Sequence, residues 1–458
     1  MKQMTVRAAI MLAVAGLFVA GIAIFVVIYT VDADDWALYP ANRHIYTVGQ
    51  ITQAGQITDR NGTVLAQTQN GQRVYNEDQQ IREATLHAVG DLDGFISTGL
   101  HASYLKELTG YNLVNGVYSY SGNGNNIQTT LDADVCAAAL DALDGKNGTV
   151  GVYNYKTGEV ICMVSTPTYD VEDEQASEAA KNGDYKGVFV NRFLSGDYTP
   201  GSTFKIVTTA ASLDTFSDAY DREYTCNGGV MIDGEWISCM GDHGTIRLEE
   251  ALAKSCNAYF SQLAVDLGEE VMTEYAEKFG FNQSFSMDGI AAKTSYFNVE
   301  DTRDIDLAWA GMGQYTNMMN PLQYLTAIGA IANGGVPVEP YMVDKITTNG
   351  GLTVKNGKGS NGSRMLSAET AEKLTELMAN NVEVNYGTWN YPGLDLCAKS
   401  GTAEVGEGRT PNAVFVGFLR NEDLPLAFVV VVEGGGAGSS VGGRVANQVL
   451  QAAKDKLT

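Results

Sequence analysis

The hydrophobic pattern divides the chain into four textures. Residues 8–29 are apolar or Gly without interruption, and no charge occurs between Arg7 and Asp32. At ~1.5 Å per residue, such a run crosses a bilayer core as one helix. From about residue 31 to 126 hydrophobicity is modest and turn signals recur. Asp59-Arg60-Asn61-Gly62, flanked by Ile57 and by Val64-Leu65, reads as a hairpin turn. Residues 101–108 read as a short helix, and the Gly- and Asn-rich stretch 121–126 reads as a loop or domain boundary. The expected organisation is a short tail (1–7), an apolar anchor (8–29), a small, mainly β stalk (30–126) and a large domain (127–458).

Within the large domain the period changes twice. Val135, Ala139, Leu140 and Leu143 have helical spacing, and then 149–153 and 159–164 form two strands about the turn Tyr155-Lys156-Thr157-Gly158. The middle is helical. An apolar run 206–213 follows a Pro-Gly turn, 248–281 carries helical patterns with stops at Gly268 and Gly280, and 308–335 reads as a buried helix entered by a turn at Pro321. Ser367 is placed to cap a helix bearing Leu374, Leu377 and Met378. Strands return at 394–404, 413–419 and 426–432, the last almost wholly apolar, before a final helix over 445–457. The pattern predicts an α+β fold in which one sheet is interrupted by a helical insertion.

Composition narrows the functions available. The chain has 458 residues, 45% of them hydrophobic and only 9 of them Pro, so most of it can pack. A net charge of −24 argues against nucleic-acid binding and against a polybasic hold on anionic lipid. Lys2 and Arg7 precede the apolar run, and Asp32, Asp34 and Asp35 follow it, so the positive-inside rule puts the tail in the cytoplasm and the rest outside. The run is longer than a usual signal-peptide core, which favours a retained single-pass anchor over a cleaved leader. Cys136, Cys162 and Cys397 sit in apolar runs as core residues, whereas Cys226 and Cys239 lie in a Gly-rich stretch and are a candidate disulfide. The four histidines (44, 87, 101, 243) are scattered and no CxxC or HExxH occurs, so no metal site is expected and a Ser-His-Asp triad is disfavoured.

The candidate chemistry lies in three motifs taken together: Ser202-x-x-Lys205, Ser255-Cys256-Asn257 and Lys399-Ser400-Gly401-Thr402. Rival copies exist in the same order at Ser103/Lys106, Ser121/Asn123 and Lys156/Gly158, but they leave no room for a helical subdomain between them. The second set starts at a Pro200-Gly201 turn entering a helix, continues at a helix start and ends on a strand. Such a set is that of serine acyl-transferring enzymes acting on penicillins or their substrate counterparts. Ser202 would be the nucleophile. Lys205 would be its base, depressed in pKa by burial and by Lys399. Ser255 would relay a proton to the leaving amine, and Asn257 would hold Lys205 and substrate backbone. The Ser202 and Thr402 N–H groups would form the oxyanion hole, worth ~3 kcal/mol per donor. Lys399, Ser400 and Thr402 would receive a substrate carboxylate, with Gly401 permitting close ligand approach. Cys256 reads as packing and Glu404 as solvent-facing.

Pro200-Gly201-Ser202-Thr203-Phe204-Lys205, Ser255-Cys256-Asn257 and Lys399-Ser400-Gly401-Thr402-Ala403-Glu404 closely resemble the transpeptidase domain of class B penicillin-binding proteins. So do Gly158 to Pro167, the run Gly311-Met312-Gly313-Gln314 to Asn320-Pro321-Leu322-Gln323, and Ala332-Asn333-Gly334-Gly335. The likeness covers about 127–458, and the short stalk resembles the penicillin-binding protein A group. It implies a penicillin-binding/transpeptidase-like fold, an antiparallel sheet flanked by helices plus an all-helical subdomain. It also implies peptidoglycan D,D-transpeptidation with release of D-Ala, acylation by β-lactams, no cofactor, and work beside a polytopic glycan polymerase. Val414 departs from the family, which often carries Trp there. The rival readings are a D,D-carboxypeptidase or class D-like β-lactamase, against which Asn257 stands, and a non-catalytic β-lactam sensor or scaffold, against which the complete motif set stands.

Overall fold

The computed structural model describes residues 2–38, 54–110, 124–406 and 408–458. The first element is a helix, Lys2–Leu38, within which Thr5–Ile28 has a mean hydropathy of 2.9 and is wholly unburied. Among the described residues it is the one helix long and apolar enough to cross a membrane.

The hairpin expected at residues 59–62 is present. β1 (Ile57–Thr58) pairs antiparallel with β2 (Val64–Gln69), and the buried Asp59 closes the turn, its Oδ1 accepting from Asn61 N–H (2.8 Å) and Thr63 N–H (2.7 Å). A second hairpin leads to β3 (Gln72–Tyr75) through Asn70-Gly71, both left-handed as a two-residue loop requires. The helix expected at 101–108 is instead two short ones, Leu100–Ser103 and Leu105–Thr109, because Tyr104 between them leaves helical geometry (φ −119°, ψ 25°). Ser121 and Asn123, in the stretch read as a boundary loop, lie outside the described residues.

The N-terminal segment does not complete its own sheet. β4 (Asn126–Thr129) pairs parallel with β1 and antiparallel with a strand more than two hundred residues later. An N-terminal β unit ending at residue 126 therefore owes half of its sheet to the rest of the chain.

The central sheet is built as the pattern implied. Asp132 caps the helix Ala133–Leu143, and β5 (Gly148–Asn154) turns into β6 (Val160–Thr166), both buried along almost all their length. The insertion then begins. A 3₁₀ turn, Gly201–Phe204, runs into the helix Lys205–Thr215, and a small β region follows: β7 (Tyr224–Cys226), β8 (Gly229–Ile232), β9 (Glu235–Ser238) and β10 (Gly244–Ile246). The helices Leu248–Ala253 and Asn257–Lys278 come next, the latter kinked at Gly268 (φ +78°), where the sequence predicted a stop. After the short pair β11 (Ser286–Met287) and β12 (Ile290–Ala291) come the helices Asp304–Gly311 and Pro321–Ala332. β13 (Val343–Thr347) and β14 (Thr353–Asn356) complete the N-terminal sheet, in the order β14-β13-β4-β1-β2-β3.

Ser367 caps Ala368–Asn381 as expected, and β15 (Leu396–Ala403), β16 (Asn412–Leu419) and β17 (Leu426–Val432) close the central antiparallel sheet as β15-β16-β17-β5-β6. Helices Ala133–Leu143 and Gly443–Leu457 pack together beside this sheet, and Pro321–Ala332 crosses β5, β16 and β17. Here a Cβ on Gly329 would stand 1.9 Å from Tyr153 Oη, so the absence of a side chain sets how closely helix and sheet approach. β15, the strand with the Lys-Ser-Gly-Thr motif, is left at the sheet's edge.

Candidate active site

The turn that carries Ser202 is fixed from three sides. Upstream, Arg192 pairs with Glu433 (Nε–Oε1 2.7 Å) and Tyr198 O–H donates to the same oxygen (3.0 Å). Tyr198 and Met319 exchange backbone hydrogen bonds (2.9 and 2.7 Å), and Gly201 N–H donates to Gly313 C=O (2.9 Å). Tyr324 O–H holds the Thr203 carbonyl (2.9 Å). The buried Asn320 amide donates to the Leu194 and Gly196 carbonyls (2.9 Å each) while its Oδ1 caps Pro321–Ala332. Ser202 itself is half-buried, and its hydroxyl has no hydrogen-bond partner among the described residues.

Lys205 is the first residue of the helix that follows, fully buried. Its Nζ donates to Ser255 C=O (2.7 Å), Asn257 Oδ1 (2.8 Å) and Ser255 Oγ (3.3 Å). Lys399, also fully buried, donates to the same Ser255 Oγ (3.0 Å) and to Ser400 C=O (2.9 Å). Ser255 sits between two helices in the left-handed region (φ +53°), a conformation costing a non-glycine residue ~1–2 kcal/mol. That twist turns its carbonyl and hydroxyl toward the lysines. Burial lowers the Lys205 pKa to about 8, and burial together with the Lys205 charge holds Lys399 well below the usual amine range. Asn257 Nδ2 is held by the Ser238 carbonyl (3.0 Å), which ties the motif to β9.

On β15, Ser400 N–H donates outward to Tyr386 Oη (2.8 Å), and the two hydroxyls are 3.0 Å apart. Backbone direction alternates along an antiparallel edge, so the Thr402 N–H leaves the strand on the same side. Thr402 is exposed there. Gly401 serves a different approach from the one expected. A Cβ on it would meet Pro200 O at 2.7 Å and Thr203 Cγ2 at 3.1 Å, so the missing side chain lets the Ser202 turn, rather than a ligand, lie against the strand.

The motifs at 202, 255 and 399 are thus brought together, whereas the described members of the rival set take up other partners. Ser103 Oγ donates to Gly99 C=O and Lys156 Nζ to Asn333 Oδ1, neither partner belonging to the three motifs. Tyr386 was not foreseen; it lies in the turn Val382–Tyr386, reached by no linear motif. Glu404 is exposed and Cys136, Cys162 and Cys397 are buried, as expected. The candidate Cys226–Cys239 disulfide is absent from this structure: both thiols are free, and each sulfur instead lies 3.6 Å from His243 Nδ1.

Comparison with known proteins decides the family. Residues 148–451 match the penicillin binding protein transpeptidase domain. The chain belongs to that family. It is 28% identical to the peptidoglycan D,D-transpeptidase PbpA of Mycolicibacterium smegmatis, over 92% of each chain, and 27% identical to PbpA of Mycobacterium tuberculosis, over 76% of each. The fold superposes on M. tuberculosis penicillin-binding protein A in its ceftriaxone acyl-enzyme complex with a TM-score of 0.79 (26% identity, 89% of this chain and 100% of that one). It superposes on the D,D-transpeptidase domain of an Eggerthella lenta peptidoglycan glycosyltransferase with 0.76 (28% identity, 88% and 98%). Val414, on β16 behind the edge strand, is fully buried.

Proposed function

We propose that the protein is a membrane-anchored, serine-type peptidoglycan D,D-transpeptidase. The observation that carries this is the convergence of two buried lysines on one serine hydroxyl beside the turn that carries the half-buried Ser202. In the first half-reaction Ser202 Oγ attacks the carbonyl of a stem peptide's D-Ala–D-Ala bond, and its proton passes to neutral Lys205. The oxyanion falls between the N–H groups of Ser202 and Thr402. When the C–N bond breaks, Ser255, recharged by the lysines, delivers a proton to the departing D-Ala amine. In the second half an amine of a neighbouring stem attacks the ester, its proton returns through Lys205, and Ser202 is released as the hydroxyl. The edge of β15 offers the free backbone groups with which an extended peptide pairs as an added strand. Lys399, Ser400 and Thr402 line the end of that edge and would take the terminal carboxylate.

β-Lactams would acylate Ser202 as strained mimics of the same amide. The apolar helix Thr5–Ile28, with Lys2 just before it and Arg7 in its first turn, fits a single-pass anchor in a bacterial cell membrane that places the body of the protein outside the cytoplasm. A polytopic glycan polymerase is the partner that anchor and stalk would meet, since cross-linking needs fresh strands. Fluorescent penicillin should label the protein covalently on Ser202, and Ser202→Ala should abolish the label. Continued labelling of the mutant, located by peptide mass spectrometry, would reject the assignment. Incubation with stem peptides should yield cross-linked dimers; D-Ala release without dimers would make the enzyme a carboxypeptidase.

A further inference from the structure

Next to the catalytic constellation four side chains meet that the acyl-transfer chemistry leaves unused. One ring nitrogen of His243 and the sulfurs of Cys226, Cys239 and Cys256 all lie within 4.8 Å of one another. His243 Nδ1 is 3.6 Å from both Cys226 Sγ and Cys239 Sγ, and Cys239 Sγ is 3.8 Å from Cys256 Sγ. We propose that these four residues bind a structural zinc ion whose task is to hold the Ser255-Cys256-Asn257 motif in place.

Distance is the first argument. In tetrahedral zinc sites, with Zn–S ~2.3 Å and Zn–N ~2.0–2.1 Å, sulfurs stand about 3.8 Å apart and sulfur and nitrogen about 3.6 Å apart. The two sulfur–nitrogen spacings and the Cys239–Cys256 spacing match these values and the remaining pairs stay within 4.8 Å, whereas a disulfide needs ~2.05 Å. Ligand chemistry is the second. Three thiols and one imidazole form a complete tetrahedral set of the kind that selects zinc and leaves no open position for a reacting water. Binding would displace the three thiol protons, giving a tris-thiolate site of net charge −1.

The surroundings supply what thiolates need. Asn257 N–H donates to Cys239 Sγ (3.3 Å) and Tyr259 N–H to Cys256 Sγ (3.4 Å), outer-shell bonds of the type that fix ligand geometry. Cys226 and Cys256 are fully buried, and Cys239 and His243 are half-buried.

The local fold shows why a staple belongs there. Among the described residues β7 pairs only with β10 and β8 only with β9, and two-stranded ribbons are marginal alone. Met231, Trp236 and Met240 on this region point to solvent, so it has little core of its own. The four ligands come from the end of β7, the loop after β9, the approach to β10 and the cap of Asn257–Lys278. One ion would therefore join every part of the small β region to the helix start carrying Ser255 and Asn257. The sequence reading expected no metal because the histidines are scattered and no CxxC occurs; the spacing Cys-x12-Cys-x3-His-x12-Cys becomes a site only through the fold.

The metal assignment stands apart from the catalytic reading, but its effect on acylation rests on that reading. Full-length protein purified in detergent, without chelator or polyhistidine tag, should carry one zinc per chain by elemental mass spectrometry. Cobalt exchanged into it should show thiolate-to-cobalt charge transfer and tetrahedral ligand-field bands. His243→Ala and Cys239→Ser should lose most of the metal, while Cys162→Ser, in the core away from the cluster, should keep it. Removing the zinc should slow penicillin labelling about tenfold, and restoring it should recover the rate. Metal-free wild-type protein, or a Cys226–Cys239 disulfide in the peptide map, would overturn the site. Full zinc occupancy with no serine labelling would support the site and count against the acyl-enzyme reading alone.

Discussion

Lys205 and Lys399 meet at a single oxygen: their amines lie 3.3 and 3.0 Å from Ser255 Oγ, and both side chains are fully buried. Two ammonium groups ~5–6 Å apart repel by about 3 kcal/mol at an effective dielectric near 20, equivalent to roughly two pH units. That is enough to keep the pair from holding both protons near neutrality. One amine is then free to act as base while the other keeps the cleft positive for a carboxylate.

The sign of the pH dependence follows. Lys205 has its pKa lowered to about 8, so its basic form grows as pH rises through that value. Penicillin acylation measured by stopped-flow should climb about tenfold per unit below pH ~8 and level off above it. Lys205→Arg, charged throughout this range, should lose ~10²–10⁴ in rate. A flat profile would remove Lys205 from the role of base.

Tyr386 positions Ser400 by accepting its N–H and sharing its hydroxyl. Tyr386→Phe strands both groups, at about 1–1.5 kcal/mol. The second-order acylation constant should fall roughly tenfold, with a stability loss near 1 kcal/mol in denaturant titrations. A stability loss with acylation unchanged would reduce Tyr386 to packing.

Asn320 holds two carbonyls of the segment before Ser202 and caps the helix behind it. Asn320→Ala removes the cap and leaves buried acceptors unpaired, which should cost about 2–4 kcal/mol. Urea unfolding followed by circular dichroism measures it, and a cost under 0.5 kcal/mol would contradict the packing described here.

Legibility in the sequence followed the range of the interaction. Ser202, Lys205, Ser255, Asn257 and Lys399 could be read because each lies in a short linear motif whose order carries information. The central sheet was legible because β5, β6 and β15 to β17 are apolar runs between plain turns. Partners supplied from afar were not. Tyr386 stands in a turn with no pattern of its own, and β13 and β14 join the N-terminal sheet across more than two hundred residues. Cys226 and Cys239 suggested a disulfide because compartment and loop composition were all the chain displayed. Their shared neighbour His243 could be found only in three dimensions.

Gly313 supports the nucleophile without touching the chemistry. It accepts the Gly201 N–H, adopts φ +82°, and a Cβ there would lie 2.0 Å from Gly201 O and 2.6 Å from Phe204 Cβ. Alanine at 313 must therefore strain its own backbone, by ~1–2 kcal/mol, and push the 3₁₀ turn toward β15. The turn has little slack on that side, because a Cβ on Gly401 would meet Pro200 O and a Cβ on Gly201 would meet Thr402 O. Displacement must then move Ser202 relative to Lys205 and the Thr402 N–H, and about 1 Å of misplacement costs on the order of 10²-fold in rate. Gly313→Ala should keep its circular dichroism spectrum, lose about 2 kcal/mol of stability and label with penicillin ~10²-fold more slowly. Labelling at the wild-type rate would mean that the turn is held elsewhere.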